Sequence, residues 1–141
     1  MTKMSDQEWQ AFVSSGTRTG KLAVVRKDGS PHVVPIWFVM DGGDVVFNTG
    51  EKTVKGRAIA RDGRVSMCVD DEDPPYTYVQ LNGRATISTD LEELRRFATL
   101  IGGRYMGADR AEEFGARNGV PGELVVRFTP NRVIAERDVA D

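Results

Sequence analysis

The chain has 141 residues, 40% hydrophobic and 28% charged, with a formal net charge of -2 at pH 7. Such a composition suits one globular domain spanning residues 1–141, long enough to bury a real core. It excludes a broadly basic nucleic-acid binder, and one cysteine with one histidine excludes a Cys/His metal cluster. No run of about 18 apolar residues occurs, so no membrane span is expected. The opening MTKMSDQEWQAFVSS lacks the apolar centre of a secretory signal, and Cys68 has no partner for an internal disulfide. Both lead to the expectation of a reducing cytoplasmic setting.

Ser5 followed by Glu8 has capping-box spacing ahead of Trp9, Phe12 and Val13, which predicts a short helix. KLAVVRKDGSPHVVPIWFVMDGGDVVFNT then reads as three extended runs. Hairpin signals separate them at Asp28-Gly29 and at Asp41-Gly42-Gly43. Val, Ile, Phe and Trp dominate these runs, as largely buried strands prefer. Residues 52–61 predict a short helix ended near Asp62-Gly63, and RVSMCVDD a fourth strand. TYVQLNGRATIST predicts a long strand bent at Gly83. Asp90 caps a helix carrying Leu91, Leu94, Phe97, Ala98 and Ile101. A second helical stretch covers residues 109–117, and GELVVRFTPNRVIAER closes with one more strand or hairpin.

About six strands joined by short turns do not make βαβ alternation, and neither a dinucleotide-binding glycine fingerprint nor a P-loop is present. The expected fold is mainly β within the α+β class, a small antiparallel barrel with helices packed outside. A barrel of this length has a thin core, so burial of a further apolar face in a homodimer is physically reasonable.

Residues 51–64 concentrate positive charge: Lys52, Lys55, Arg57, Arg61 and Arg64 against Glu51 and Asp62. On a helix, Lys55 falls on the side of Ala58 and Ile59, whereas Arg57 and Arg61 share another face. A lysine on an apolar side either snorkels to water or meets an anion. Asn48, Thr49 and Gly50 precede the helix with amide, hydroxyl and accessible backbone. The helix start adds free N–H groups and a positive dipole end. Lys52 and Thr53 are expected in that first turn, where an acid is normally favoured. The local pattern points to a phosphate.

The stretch from Pro31 to Ile87 resembles the pyridoxamine 5'-phosphate oxidase-like split-barrel superfamily, whose barrel binds flavin mononucleotide. More narrowly it resembles the actinobacterial deazaflavin-dependent reductases that use coenzyme F420. The resemblance lies in Pro31-His32, Pro35-Ile36-Trp37-Phe38, Phe47-Asn48-Thr49, Lys55 with Arg57, Arg61-Asp62-Gly63-Arg64-Val65, DEDPPYTYVQLNGRA, and RYMG at Arg104 to Gly107. It implies a homodimer with two ligand clefts between the barrels. It also implies that Lys55 and Arg57 hold a cofactor phosphate, helped by Thr49, Lys52 and Thr53. Val34, Pro35, Ile36 and Trp37 would then lie along a tricyclic ring. Gly56 departs from relatives that often carry a longer polar residue there. The closing PNRVIAERDVAD has no counterpart to the arginine, tyrosine and histidine positions that hold pyridoxal phosphate in the true oxidases, so that oxidation is not expected.

Coenzyme F420 and flavin mononucleotide share ring, ribityl chain and phosphate, and only the former has an oligoglutamate tail. The surplus cations Lys52, Arg57 and Arg61, with Arg18 or Lys21, favour the deazaflavin. The expected activity is hydride transfer from the reduced deazaflavin to a small electron-poor organic substrate. Alternatives are a flavin mononucleotide-dependent reductase, or a carrier or sensor of deazaflavin, flavin or haem without turnover. Tyr78 is the candidate proton donor, and no metal is expected. His32 is a haem ligand or an ordinary edge-strand residue, Trp37 a ring-stacking or a core residue, and Cys68 a small buried hydrophobe. Leu91 to Ile101 reads as core, and Asp70 to Asp73 as a solvated turn.

Overall fold

Ser5 closes the capping box on Glu8 in both directions, Glu8 N–H to Ser5 Oγ and Ser5 N–H to Glu8 Oε1, and so starts helix α1 (Asp6–Ser14). The computed structural model describes residues 1–141 as eight strands and four α-helices. Before α1 lies a two-residue strand, β1 (Thr2–Lys3). After it come β2 (Gly20–Val25), β3 (Pro31–Ile36), β4 (Val39–Asp41), β5 (Asp44–Gly50), α2 (Val54–Arg61), β6 (Arg64–Asp71) and β7 (Thr77–Ser88). Helix α3 (Leu91–Met106) leads through a 3-10 turn into α4 (Ala111–Asn118), and β8 (Glu123–Arg137) closes the chain. Asp90 caps α3 through the N–H groups of Glu92 and Glu93, as its spacing predicts.

All pairings are antiparallel and follow the order β3-β2-β6-β7-β8-β5-β4, with β1 added on β8. The two ends of that order, β3 and β4, are separated in sequence only by Trp37 and Phe38. Three Cα steps reach at most about 11 Å. Seven strands laid flat would put the two ends roughly 29 Å apart. The sheet must therefore curl until β3 and β4 are neighbours. No ladder joins them, so the barrel is closed by covalent chain across a seam: it is a split barrel.

The sequence places three extended runs between α1 and α2 where the structure has four strands, β2 to β5. PHVVPIWFVMD is continuous in hydrophobicity, and its break at Trp37-Phe38 comes from the change of sheet edge, which no local propensity encodes. The final segment is one 15-residue strand rather than a hairpin. The expected bend in β7 is a register shift at Asn82/Gly83, where a side chain at Gly83 would press on the Thr129 carbonyl.

Nineteen buried residues fill the barrel, among them Leu22, Phe38, Phe47, Met67, Leu81 and Phe128. Alternation along β5 and β8 sends Val45, Phe47, Leu124, Val126 and Phe128 inward and Val46 and Val125 outward. The outward pair meets Leu94, Phe97 and Ile101 of α3, which binds α3 to the outside of the barrel.

Candidate functional site

The seam creates a pocket. Pro35, Ile36 and Trp37 at the end of β3, Asn48 of β5, Lys55 of α2, Ala98, Ile101 and Gly102 of α3, and Phe114 and Asn118 of α4 enclose about 260 Å³. Two residues of α3 hold the seam in place. Tyr105 Oη accepts from Phe38 N–H at 3.3 Å and donates to the Arg18 carbonyl at 2.7 Å. The Arg104 guanidinium donates to the carbonyls of Phe38 at 2.6 Å, Val13 at 2.7 Å and Gly16 at 3.0 Å. Both backbone groups of Phe38 are thus held from α3. Trp37 stacks on Tyr105 with ring centroids 5.1 Å apart and planes 4° from parallel, and meets the Phe114 ring edge-on at 6.0 Å. Helix α4 comes this close to α3 because Gly102 and Gly115 carry no side chain: a Cβ at Gly102 would collide with Phe114, and one at Gly115 with Thr99.

Asn48 decides the character of the pocket. Its amide nitrogen and oxygen are both sealed from solvent, and neither has a hydrogen-bond partner. Buried polar atoms are normally paired, and an exception calls for a reason. Lys55 lines the same pocket, half-buried and free of any salt bridge. Burial pushes its ammonium below the ordinary lysine value, and the negative charge of Glu123 only partly opposes this. Burial likewise pushes the Glu123 carboxyl up, against the pull of Lys55.

The remaining sequence candidates fall elsewhere. Thr49 and Thr53 use their hydroxyls on each other at 2.9 Å. Thr53 also donates to the Gly50 carbonyl at 2.9 Å and caps α2 by accepting from Gly56 N–H at 3.0 Å. Lys52 lies before that cap rather than in the first turn of the helix, exposed in a shallow hollow with Gly50, Glu51, Thr53 and Gly122. Gly56 is required, because a Cβ there would run into the Gly50 carbonyl. Arg57 is exposed on α2, and Arg61 lines a separate cleft. Val34 packs against the barrel core instead of lining the pocket. Tyr78 pairs across β7 with Asp70 and Glu136, outside the pocket of its own chain. Arg18 and Lys21 are ion-paired with Asp71 and Asp70. His32 Nδ1 lies 2.8 Å from Arg26 Nη2. Burial pushes the Cys68 thiol up, which suppresses the reactive thiolate.

Ala98, Ile101, Gly102, Phe114 and Asn118 form the pocket wall, although the sequence marks α3 only as core. Leu94 and Phe97 are core, whereas the later turns of the helix face the ligand space. The available signal was glycine at 102, 103 and 115 inside helices, where it weakens propensity unless close packing requires it.

The sequence model of the family described as Pyridoxamine 5'-phosphate oxidase matches residues 5–136. The chain belongs to this family. Solved structures share the fold. A conserved hypothetical protein from Mycobacterium tuberculosis is 28% identical with a TM-score of 0.85, over 98% of this chain and 89% of that one. An F420 reductase is also 28% identical, with a TM-score of 0.69 over 87% and 94% of the two chains. The haem storage protein of Vibrio cholerae, 14% identical with a TM-score of 0.71 over 94% and 96%, shares the fold. No curated protein sequence matches this chain. Proteins that share this barrel therefore differ in the ligands their names give, and the pocket itself must indicate which chemistry applies.

Proposed function

We propose that the protein is an oxidoreductase that uses reduced coenzyme F420 to reduce a small electron-poor organic substrate. The observation that carries this reading is Asn48, whose buried amide has no partner, lining the same pocket as half-buried, unpaired Lys55. The donor set fits such a coenzyme. Ile36, Trp37, Ile101 and Phe114 offer apolar surface to a flat ring. Asn48 can donate and accept at a ring edge that carries both kinds of group. Lys55 would hold the phosphate, and Lys52 and Arg57 would line the path of an anionic tail. The similarity to an F420 reductase supports the same choice.

When bound, the coenzyme supplies the hydride. The chain supplies binding, orientation and exclusion of water. Lys55 is the one ionisable side chain among those lining the pocket, so a proton delivered there comes from its ammonium or from water. Tyr78 would act only across a dimer.

A second copy of the chain is part of this proposal. The pocket falls below the roughly 300 Å³ at which ligand sites usually begin, so one chain holds only part of a coenzyme. The outward face of β3, β2 and β6 is mostly small or neutral: Val33 lies opposite Ala23, and Ala23 opposite Ser66. Val33 is 63% exposed although apolar. This is the face a second copy would cover.

Flavin mononucleotide is the second reading, favoured by one observation. Arg18 and Lys21 are already ion-paired and Arg61 lines another cleft, so fewer cations surround the pocket than the sequence suggests. Fluorescence titration of purified protein with coenzyme F420 and with flavin mononucleotide separates the two. Tight quenching of the deazaflavin by a colourless preparation is expected. A yellow band that persists through gel filtration would give the site to a flavin.

A further inference from the structure

The structure spreads the positive charge of residues 51–64 apart, with Lys52 in its own shallow hollow and Arg57 exposed on α2. Lys55 enters the pocket, whereas Arg61 and Arg64 line a cleft of about 420 Å³ that shares no residue with it. Arg61 lies six residues beyond Lys55, about 9 Å along the helix axis. Three segments meet at this cleft. The β2–β3 turn brings Arg26 and Lys27, the end of α2 and the start of β6 bring Arg61 and Arg64, and β7 brings Arg84. Register places Arg84 directly opposite Arg64 on adjacent strands, an arrangement that weakens a sheet through like-charge repulsion.

Local acids do not neutralise this group. Asp62 is the single carboxylate lining the cleft, and Arg64 occupies it with Nε to Oδ1 at 3.0 Å and Nη2 to Oδ2 at 2.6 Å. Asp28, in the neighbouring turn, is engaged by the N–H and hydroxyl of Ser30. Arg26 is turned to His32. Lys27, Arg61 and Arg84 have no salt-bridge partner. Val25 is the one apolar residue on the wall, and no aromatic ring is present to stack a base. Recognition there is therefore of charge alone. Guanidinium forks match the paired oxygens of phosphate, and several converging on one small cleft exceed what a single monoanion requires.

We infer that this cleft binds a free oligophosphate, an anion of two or more linked phosphate groups, independently of the Lys55 pocket. The test is calorimetric titration of the full chain with sulfate, pyrophosphate and tripolyphosphate at one ionic strength. Tripolyphosphate should bind tightest and sulfate weakest. The exposed pair Arg61→Ser with Arg84→Ser should weaken tripolyphosphate by about tenfold or more without lowering the melting temperature. Lys55→Ala should leave it unchanged, so the result stands apart from the fate of the coenzyme reading. Sulfate binding as tightly as tripolyphosphate, or loss on Lys55→Ala instead, would overturn the inference. Tighter binding of a DNA duplex than of tripolyphosphate at matched salt would also overturn it, in favour of nucleic acid.

Discussion

Asn48 and Lys55 both weaken the free protein at the place where they would hold a ligand. An unpaired buried amide costs about 1–3 kcal/mol. Asn48→Leu should therefore stabilise the unliganded protein by about 1–2 kcal/mol while weakening coenzyme binding. Thermal melts with and without ligand read both effects, and a variant that loses stability in each condition would deny the amide a binding role. Lys55→Ala removes a charge-assisted hydrogen bond worth about 1.5–3 kcal/mol, so affinity should fall roughly ten- to a hundredfold. Lys55→Met keeps the apolar stem and should raise stability near neutral pH. The sign follows from the depressed folded-state value of Lys55: the folded chain disfavours the ammonium, so the parent gains stability as pH rises from that value toward the usual 10.5. The advantage of the methionine variant should shrink across that alkaline window. A pH-independent difference would remove the buried-charge explanation.

At the scale of elements, α3 does two jobs. Its first turns bury Leu94 and Phe97 against the barrel, and its last turn holds the seam through Arg104 and Tyr105. Tyr105→Phe keeps the ring that stacks on Trp37 but leaves Phe38 N–H and the Arg18 carbonyl without their partner. A loss of about 1–3 kcal/mol is expected in denaturant unfolding. The Trp37 wall should shift with it, so ligand affinity should fall more than in an equally destabilised variant remote from the seam, such as Val69→Ala in the barrel. Equal affinity losses in the two variants would mean that Tyr105 acts on stability alone. Gly102→Ala should also harm the pocket, because the added methyl forces α4 away from α3.

For the whole molecule, the exposed face around Val33 and Ala23 carries the expectation of a homodimer. Light scattering at micromolar concentration should give twice the chain mass, and Val33→Asp with Ala23→Asp should give the monomer. Coenzyme binding should weaken in that variant even though neither residue lines the pocket. A monomeric parent would leave the site to one chain. A dimer that survives the two charges would put the interface on another face.

Short-range order was determined by the sequence: the Ser5 and Asp90 caps, the Asp28-Gly29 and Asp41-Gly42 turns, the bend at Gly83 and the strand character of β2, β6 and β7. Apart from Gly83, whose bend also answers to the Thr129 carbonyl on β8, each depends on a residue and neighbours within about four positions, where propensity and hydrogen-bond reach operate. Lys55 on the apolar side of its helix was legible for the same reason, since helical period alone sets it. What only the tertiary structure decided depends on strands and helices far apart in sequence. The break at Trp37-Phe38 follows from closing the barrel, and the pocket wall from α3 and α4 folding back over that seam. That Arg61 joins Arg64 and Arg84 in one cleft likewise follows from which segments meet at the end of α2. Local pattern specifies a face or a turn, but which distant faces share a cavity is set by chain closure and packing.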